Sequence, residues 1–236
     1  MPNLASLEAR WIELFDELCS SHSVDSAQIA APFFSVPATE VRSLLYIGKA
    51  TAKDWNRDDF FSLSPLANMK ERREQGRKFT KTFLTKYAPS YNSGFWHFAK
   101  VLNTEAAKKW NRPVKNPFQH ITYTNLSKIG ALKGNPRGFL LKEQRELAFE
   151  TLRLEIELYK PELICFVTWD HEIDVVRRII DDPNDASWNK AENNHWLWWR
   201  AATAKLPPIL LTGHPQGKSL KDRERWLKKF WSLLPV

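Results

Sequence analysis

Three short segments of this 236-residue chain combine small, polar and ionisable residues as a binding loop does. They are Gly48-Lys49-Ala50-Thr51-Ala52-Lys53-Asp54-Trp55, Thr124-Asn125-Leu126-Ser127-Lys128 and Gly213-His214-Pro215-Gln216-Gly217-Lys218-Ser219. Their chemistries complement one another. An asparagine amide offers both a donor and an acceptor, so it reads an amide-like base edge. A histidine stabilises a leaving anion by donating a hydrogen bond or a proton. An acid near the first segment could orient a water. An Asn leaving one strand and a His leaving another could converge on one small heterocycle.

The elements around these segments are those that would position such a site. Val41–Gly48 (VRSLLYIG), His120–Asn125 (HITYTN), Leu163–Thr168 (LICFVT) and Ile209–Thr212 (ILLT) are short, apolar or β-branched runs, and predict four strands. Helical spacing marks Leu4, Leu7, Trp11, Leu14, Phe15 and Leu18, and helices are also expected over 68–87, 95–102, 142–159, 171–180 and 220–233. Strands alternating with helices predict an α/β protein with a mainly parallel sheet of four strands. Ligands of such sheets bind beyond the carboxyl ends of the strands, which singles out loops 48–59, 125–138, 168–172 and 213–220. One domain over 1–236 is the simplest division, with a helical extension at 1–40 and a Trp-rich insertion at 181–208.

Composition narrows the partner. Lys and Arg number 35 against 27 Asp and Glu, a formal charge of +8, and the chain carries 11 tryptophans. Phosphates attract such charge and bases stack on such rings, which fits a nucleic-acid partner; a basic but otherwise ordinary enzyme with a Trp-rich core fits the same composition equally well. Residues 68–87 hold seven basic residues against two acids, and 218–236 hold six against two. The second run follows the His-Pro segment directly, where a helix would grip a backbone. No apolar run reaches about 18 residues, so no membrane span is expected. Two cysteines, Cys19 and Cys165, are too few for a disulfide scaffold or an iron–sulfur cluster. His97, His171 and His195 lack the paired spacing of a metal site. No metal and no cofactor are expected, and a cytoplasmic monomer is.

The order of these motifs resembles the uracil-DNA glycosylase superfamily, in the layout of its mismatch-specific uracil/thymine branch. LLYIGKA looks like the family's first loop, SGFW (Phe95 and Trp96) its Phe-Trp pair, TNLSKIG its Asn after a strand, and LLTGHPQGKS its final His-Pro loop. The resemblance covers roughly residues 41–233. It implies a three-layer αβα fold around a short, mainly parallel four-stranded sheet, DNA as the partner, and a metal-free enzyme that flips a nucleotide out of DNA and hydrolyses its N-glycosidic bond. It implies that Asn125 reads the base edge, that His214 stabilises the departing base, and that Phe95 or Trp96 stacks on the base. Gly48, Lys49 and Ala50 would line the base pocket. DNA would meet Lys128, Gln216, Gly217, Lys218, Ser219, Leu220 and Lys221, with Lys218 or Leu220 filling the hole left in the stack. The sequence departs from the family in the first loop. Where the family carries an acid or amide followed by Pro, this chain has Lys49, Ala50 and Thr51. Asp54 is the substitute for activating water, with Asp58 and Asp59 behind it. The third loop continues His214-Pro215-Gln216 rather than His-Pro-Ser. The substrate is therefore uracil or another modified base, such as glucosylated cytosine of phage DNA, in repair or in defence against foreign DNA. Two other functions fit the same residues: a non-catalytic nucleic-acid-binding module, and an N-glycoside hydrolase acting on free nucleosides or nucleotides.

Overall fold

The computed structural model describes residues 3–20, 32–36, 44–50, 68–90, 92–112, 116–118, 120–131, 138–168, 173–180, 188–190, 197–215 and 218–233. In chain order they form α1 (Leu4–Ser20), β1 (Leu44–Ala50), α2 (Met69–Thr82), α3 (Gly94–Lys109), β2 (Ile121–Ser127), α4 (Gly138–Tyr159), β3 (Leu163–Phe166), α5 (Ile173–Ile179), β4 (Asn189–Lys190), β5 (Leu197–Arg200), β6 (Ile209–Thr212) and α6 (Leu220–Leu233). A π turn (Phe83–Tyr87) and a 3-10 turn (Ala88–Ser90) follow α2.

The protein is α/β. Its strands make a six-stranded mixed sheet in the order β2-β1-β3-β6-β5-β4. The four strands read from sequence lie together in that order. The pairing of β1 with β3 is parallel, with Leu44 opposite Leu163, and so is that of β3 with β6, with Ile164 opposite Ile209. The expected count of four is corrected to six. Within the Trp-rich stretch, β5 pairs antiparallel with β6, Leu197 facing Thr212, and β4 pairs antiparallel with β5. These two strands have no clear alternation: Trp198 and Trp199 are both half-buried, between buried Leu197 and Arg200. The run LWWR therefore carried no period-2 signal.

Helix limits follow local chemistry. Ser93 caps α3, its hydroxyl accepting from Trp96 N at 3.3 Å. Past its last turn Asn111 takes φ 53°, a left-handed conformation that asparagine tolerates. Lys160 takes φ 43° just after α4, and Pro161 then prevents further helix. Among the described residues no helix is long and apolar enough to cross a membrane.

Chain contacts divide the protein into two compact units. One takes Met1–Val36, Gly48–Thr82 and Thr124–Leu158; the other takes Pro37–Ile47, Phe83–Tyr123 and Tyr159–Val236. The first is built around α1, whose Leu7, Trp11, Ile12 and Phe15 are wholly buried. Trp11 Nε1 donates to Thr151 Oγ1 of α4 at 2.9 Å, and Arg72 and Arg77 of α2 form ion pairs with Asp16 and Glu8 of α1. Helix α2 approaches the 32–36 segment closely because Gly76 has no Cβ. One added there would stand 2.5 Å from Phe34 Cδ2. The second unit packs α3 and α6, where Phe98 meets Trp226 edge-on at 6.3 Å.

Candidate functional site

The second unit brings together three of the expected site residues: Phe95, Trp96 and His214. His214 lies just beyond the carboxyl end of β6 and is half-buried. Its ring stacks on Phe95, centroids 5.3 Å apart and planes 26° apart. Phe95 is itself held from behind. Tyr46 of β1 sets its ring edge-on against Phe95 at 4.9 Å and donates its hydroxyl to Phe95 O at 3.0 Å. Burial raises the Tyr46 hydroxyl well above an ordinary tyrosine, so it stays protonated and remains a donor.

Phe95 and Trp96, expected to stack on a flipped base, are both buried. Phe95 is 9% exposed and Trp96 6%. Trp96 packs against Phe95, Tyr123, Phe83 and Phe118, at centroid distances from 4.9 to 6.0 Å. Phe95 continues at helical spacing with Phe98, Ala99 and Leu102, and Trp96 with Ala99 and Asn103, so the buried face of α3 is broad enough to take both rings.

The His-Pro loop is tied to α3 by residues the sequence did not point to. Arg223 of α6 donates from Nη1 to Gly94 O at 3.1 Å and from Nε to Ser219 O at 3.3 Å. An added Cβ on Gly94 would lie 2.8 Å from Pro215 O. Gly94 lies within the SGFW motif, but nothing local distinguishes a glycine at a helix start as a point of close approach. Ser219 starts α6, accepting from Asp222 N at 3.1 Å and donating to Asp222 Oδ2 at 2.7 Å. That hydroxyl, foremost, draws the Asp222 carboxyl below its usual range. Lys218 is half-buried, Lys221 is exposed, and Leu220 is the first residue of α6. Gln216, Gly217 and Asp54, with Asp58 and Asp59, lie outside the described residues. At the end of β3, beside β6, Thr168 is fully buried, and its hydroxyl has no hydrogen-bond partner among the described residues.

The remaining expected residues belong to the first unit. Gly48, Lys49 and Ala50 are the last three residues of β1; Gly48 is buried, the other two half-buried. Asn125 is inside β2 rather than after it and is wholly buried. Lys128, expected at a phosphate, is instead 1% exposed. Its ammonium donates to both carboxylate oxygens of buried Glu155 at 2.7 and 2.9 Å, and to Thr124 Oγ1. Glu155 also accepts from Ser35 Oγ at 2.6 Å. A phosphate contact would have to break this pair, and a buried lysine without its counter-charge is strongly unfavourable. Lys128 sits where β2 ends against α4, a placement that a local Ser-Lys pattern does not reveal.

Among the described residues no group of three His, Cys, Asp or Glu side chains could hold a metal ion. Fold and site thus define an α/β protein with a mixed sheet and a stacked, anchored histidine beyond a parallel strand. No protein-family model matches the chain, and no curated protein matches it in sequence.

Proposed function

We propose that the chain is a monofunctional DNA glycosylase of the uracil-DNA glycosylase type. It flips a damaged or modified base from DNA and hydrolyses its N-glycosidic bond, leaving a free base and an abasic site. The observation that supports this best is His214: an imidazole fixed flat on Phe95, beyond the carboxyl end of β6. Ligands of α/β sheets bind at that end. An imidazole held there stabilises negative charge developing on a departing base without reorganising during the reaction. Water adds to the sugar carbon and gives up one proton, the bond to the base breaks with its electrons on the base, and the base leaves having gained a proton. Asp54 is the proposed water-orienting carboxylate. Lys218, Ser219 and Lys221 are the proposed phosphate contacts, at the start of a helix that continues with Arg223, Arg225, Lys228 and Lys229. The same reading expects helices on both faces of the sheet, a monomer, and a cytoplasmic location.

A second reading, a nucleic-acid-binding module on this fold, draws on a different observation. Asn125, Phe95 and Trp96, three residues proposed to meet the base, are all buried. One experiment separates the two. Wild type and His214→Ala are incubated with duplexes containing uracil, mismatched thymine, deaminated purines or glucosylated hydroxymethylcytosine, and strand scission after alkali is measured. The glycosylase reading expects scission of one substrate, reduced at least about a hundredfold in the variant, as for loss of one oxyanion-type donor. Salt-sensitive DNA binding with no scission on any substrate would establish the module instead.

A further inference from the structure

The first turn of α3 is held from two sides. Gly94 O accepts from Arg223 Nη1 at 3.1 Å, and Phe95 O accepts from the buried Tyr46 hydroxyl at 3.0 Å. Arg223 reaches back to Ser219 as well, through Nε at 3.3 Å and its backbone N–H at 3.2 Å. One guanidinium thus bridges carbonyls of the helix that carries Phe95 and of the loop that carries His214. The loop can come this close only because residue 94 is glycine, since a Cβ there would meet the backbone oxygen of Pro215 at 2.8 Å. Pro215 directly follows His214. The backbone directly after His214 therefore lies against the start of α3, and the imidazole lies within 26° of parallel to Phe95. A stacked imidazole keeps both ring nitrogens in the plane of the stack.

We propose that Arg223 and Gly94 are positioning residues for His214: the guanidinium clasp and the missing Cβ together set the imidazole against Phe95. Neither residue touches the reacting atoms. The inference rests on the reading of His214 under the proposed function for its catalytic consequence, but not for its geometry. Arginine suits the task because its fork spans two carbonyls at once. A lysine ammonium, a point donor, can serve one carbonyl well and leaves the other.

The test reads geometry and activity separately. The Cε1–H resonance of His214 is assigned among the six histidines with His214→Gln. In wild type it is displaced by the ring current of Phe95, and Phe95→Leu should abolish that displacement. Arg223→Met, which releases the clasp, and Gly94→Ala, which pushes the loop, should each move the resonance toward the free-histidine position. Arg223→Lys should fall between. Base release should drop about a hundredfold in Arg223→Met, chiefly in kcat rather than KM, as for an approximately 1 Å misplacement of a reacting group. A His214 resonance unchanged in Arg223→Met and Gly94→Ala would overturn the proposal. Should either of these variants fail to fold, the same comparison with Arg223→Lys decides. If wild type releases no base from any DNA, the glycosylase reading falls, and the resonance alone decides the positioning claim.

Discussion

The Lys128–Glu155 pair of the first unit is buried and directly bonded, and removing one partner should be severe. Both side chains are 1% exposed. Glu155 accepts from Lys128 at 2.7 and 2.9 Å, from Ser35 at 2.6 Å and from Thr124 at 3.0 Å. Glu155→Gln keeps the shape and an acceptor for the two hydroxyls but removes the charge that the buried ammonium contacts directly, leaving only the weaker influence of Glu8. Burial already lowers the Lys128 ammonium below an ordinary lysine, with Glu155 opposing. Breaking such a pair costs about 3–5 kcal/mol. For a chain of this length that corresponds to a fall in Tm of roughly 10 °C. Lys128→Met combined with Glu155→Gln removes both charges and should recover most of the loss, ending within about 2 kcal/mol of wild type. Thermal and urea unfolding of the wild type, both single variants and the double variant measure this directly. A Glu155→Gln variant melting within about 2 °C of wild type would refute the reasoning, because a loss below about 1 kcal/mol belongs to a solvated pair. Lys128 would then be free to reach a phosphate after all.

Two further predictions concern the same unit. Gly76→Ala gains about 1 kcal/mol of helix propensity but forces a Cβ to within 2.5 Å of the Phe34 ring, so a net loss of about 1–2 kcal/mol in urea unfolding is expected. A stabilised variant would mean that the ring is not held over Gly76. Burial raises the Glu8 carboxyl above an ordinary glutamate, more than Arg77 and Arg73 lower it, with the Glu155 charge adding to the rise. In the window from the ordinary glutamate pKa up to the raised one, the folded state binds more protons than the unfolded state. Its contribution to stability is thus complete below that window and lost as pH rises through it. The stability difference between wild type and Glu8→Gln should therefore shift against wild type on going from pH 4 to pH 7. A shift in the opposite direction would show that the arginines dominate.

Much of the architecture was legible from local pattern. The runs that became β1, β2, β3 and β6 are apolar and β-branched, and α1 and α6 carry helical spacing, so the α/β class followed from periodicity alone. The position of His214 beyond a strand was equally local, since Ile209–Thr212 ends in Gly213. Strands β4 and β5 were not legible. They are two and four residues long, and their side chains follow the antiparallel partner rather than an alternation of their own. Tertiary contact also decided which residues serve the site. Asn125, Lys128 and Trp96 have the types a site would use, yet burial assigns Lys128 to an ion pair and Trp96 to an aromatic core. Arg223 and Gly94 have no distinctive local signal, and they meet only because α6 returns to the start of α3, 129 residues earlier in the chain. Residue type and spacing determine which elements form and which side chains have the chemistry. Which of those side chains keep a free edge depends on long-range packing, because burial and hydrogen-bond partners are properties of neighbours brought together by the fold.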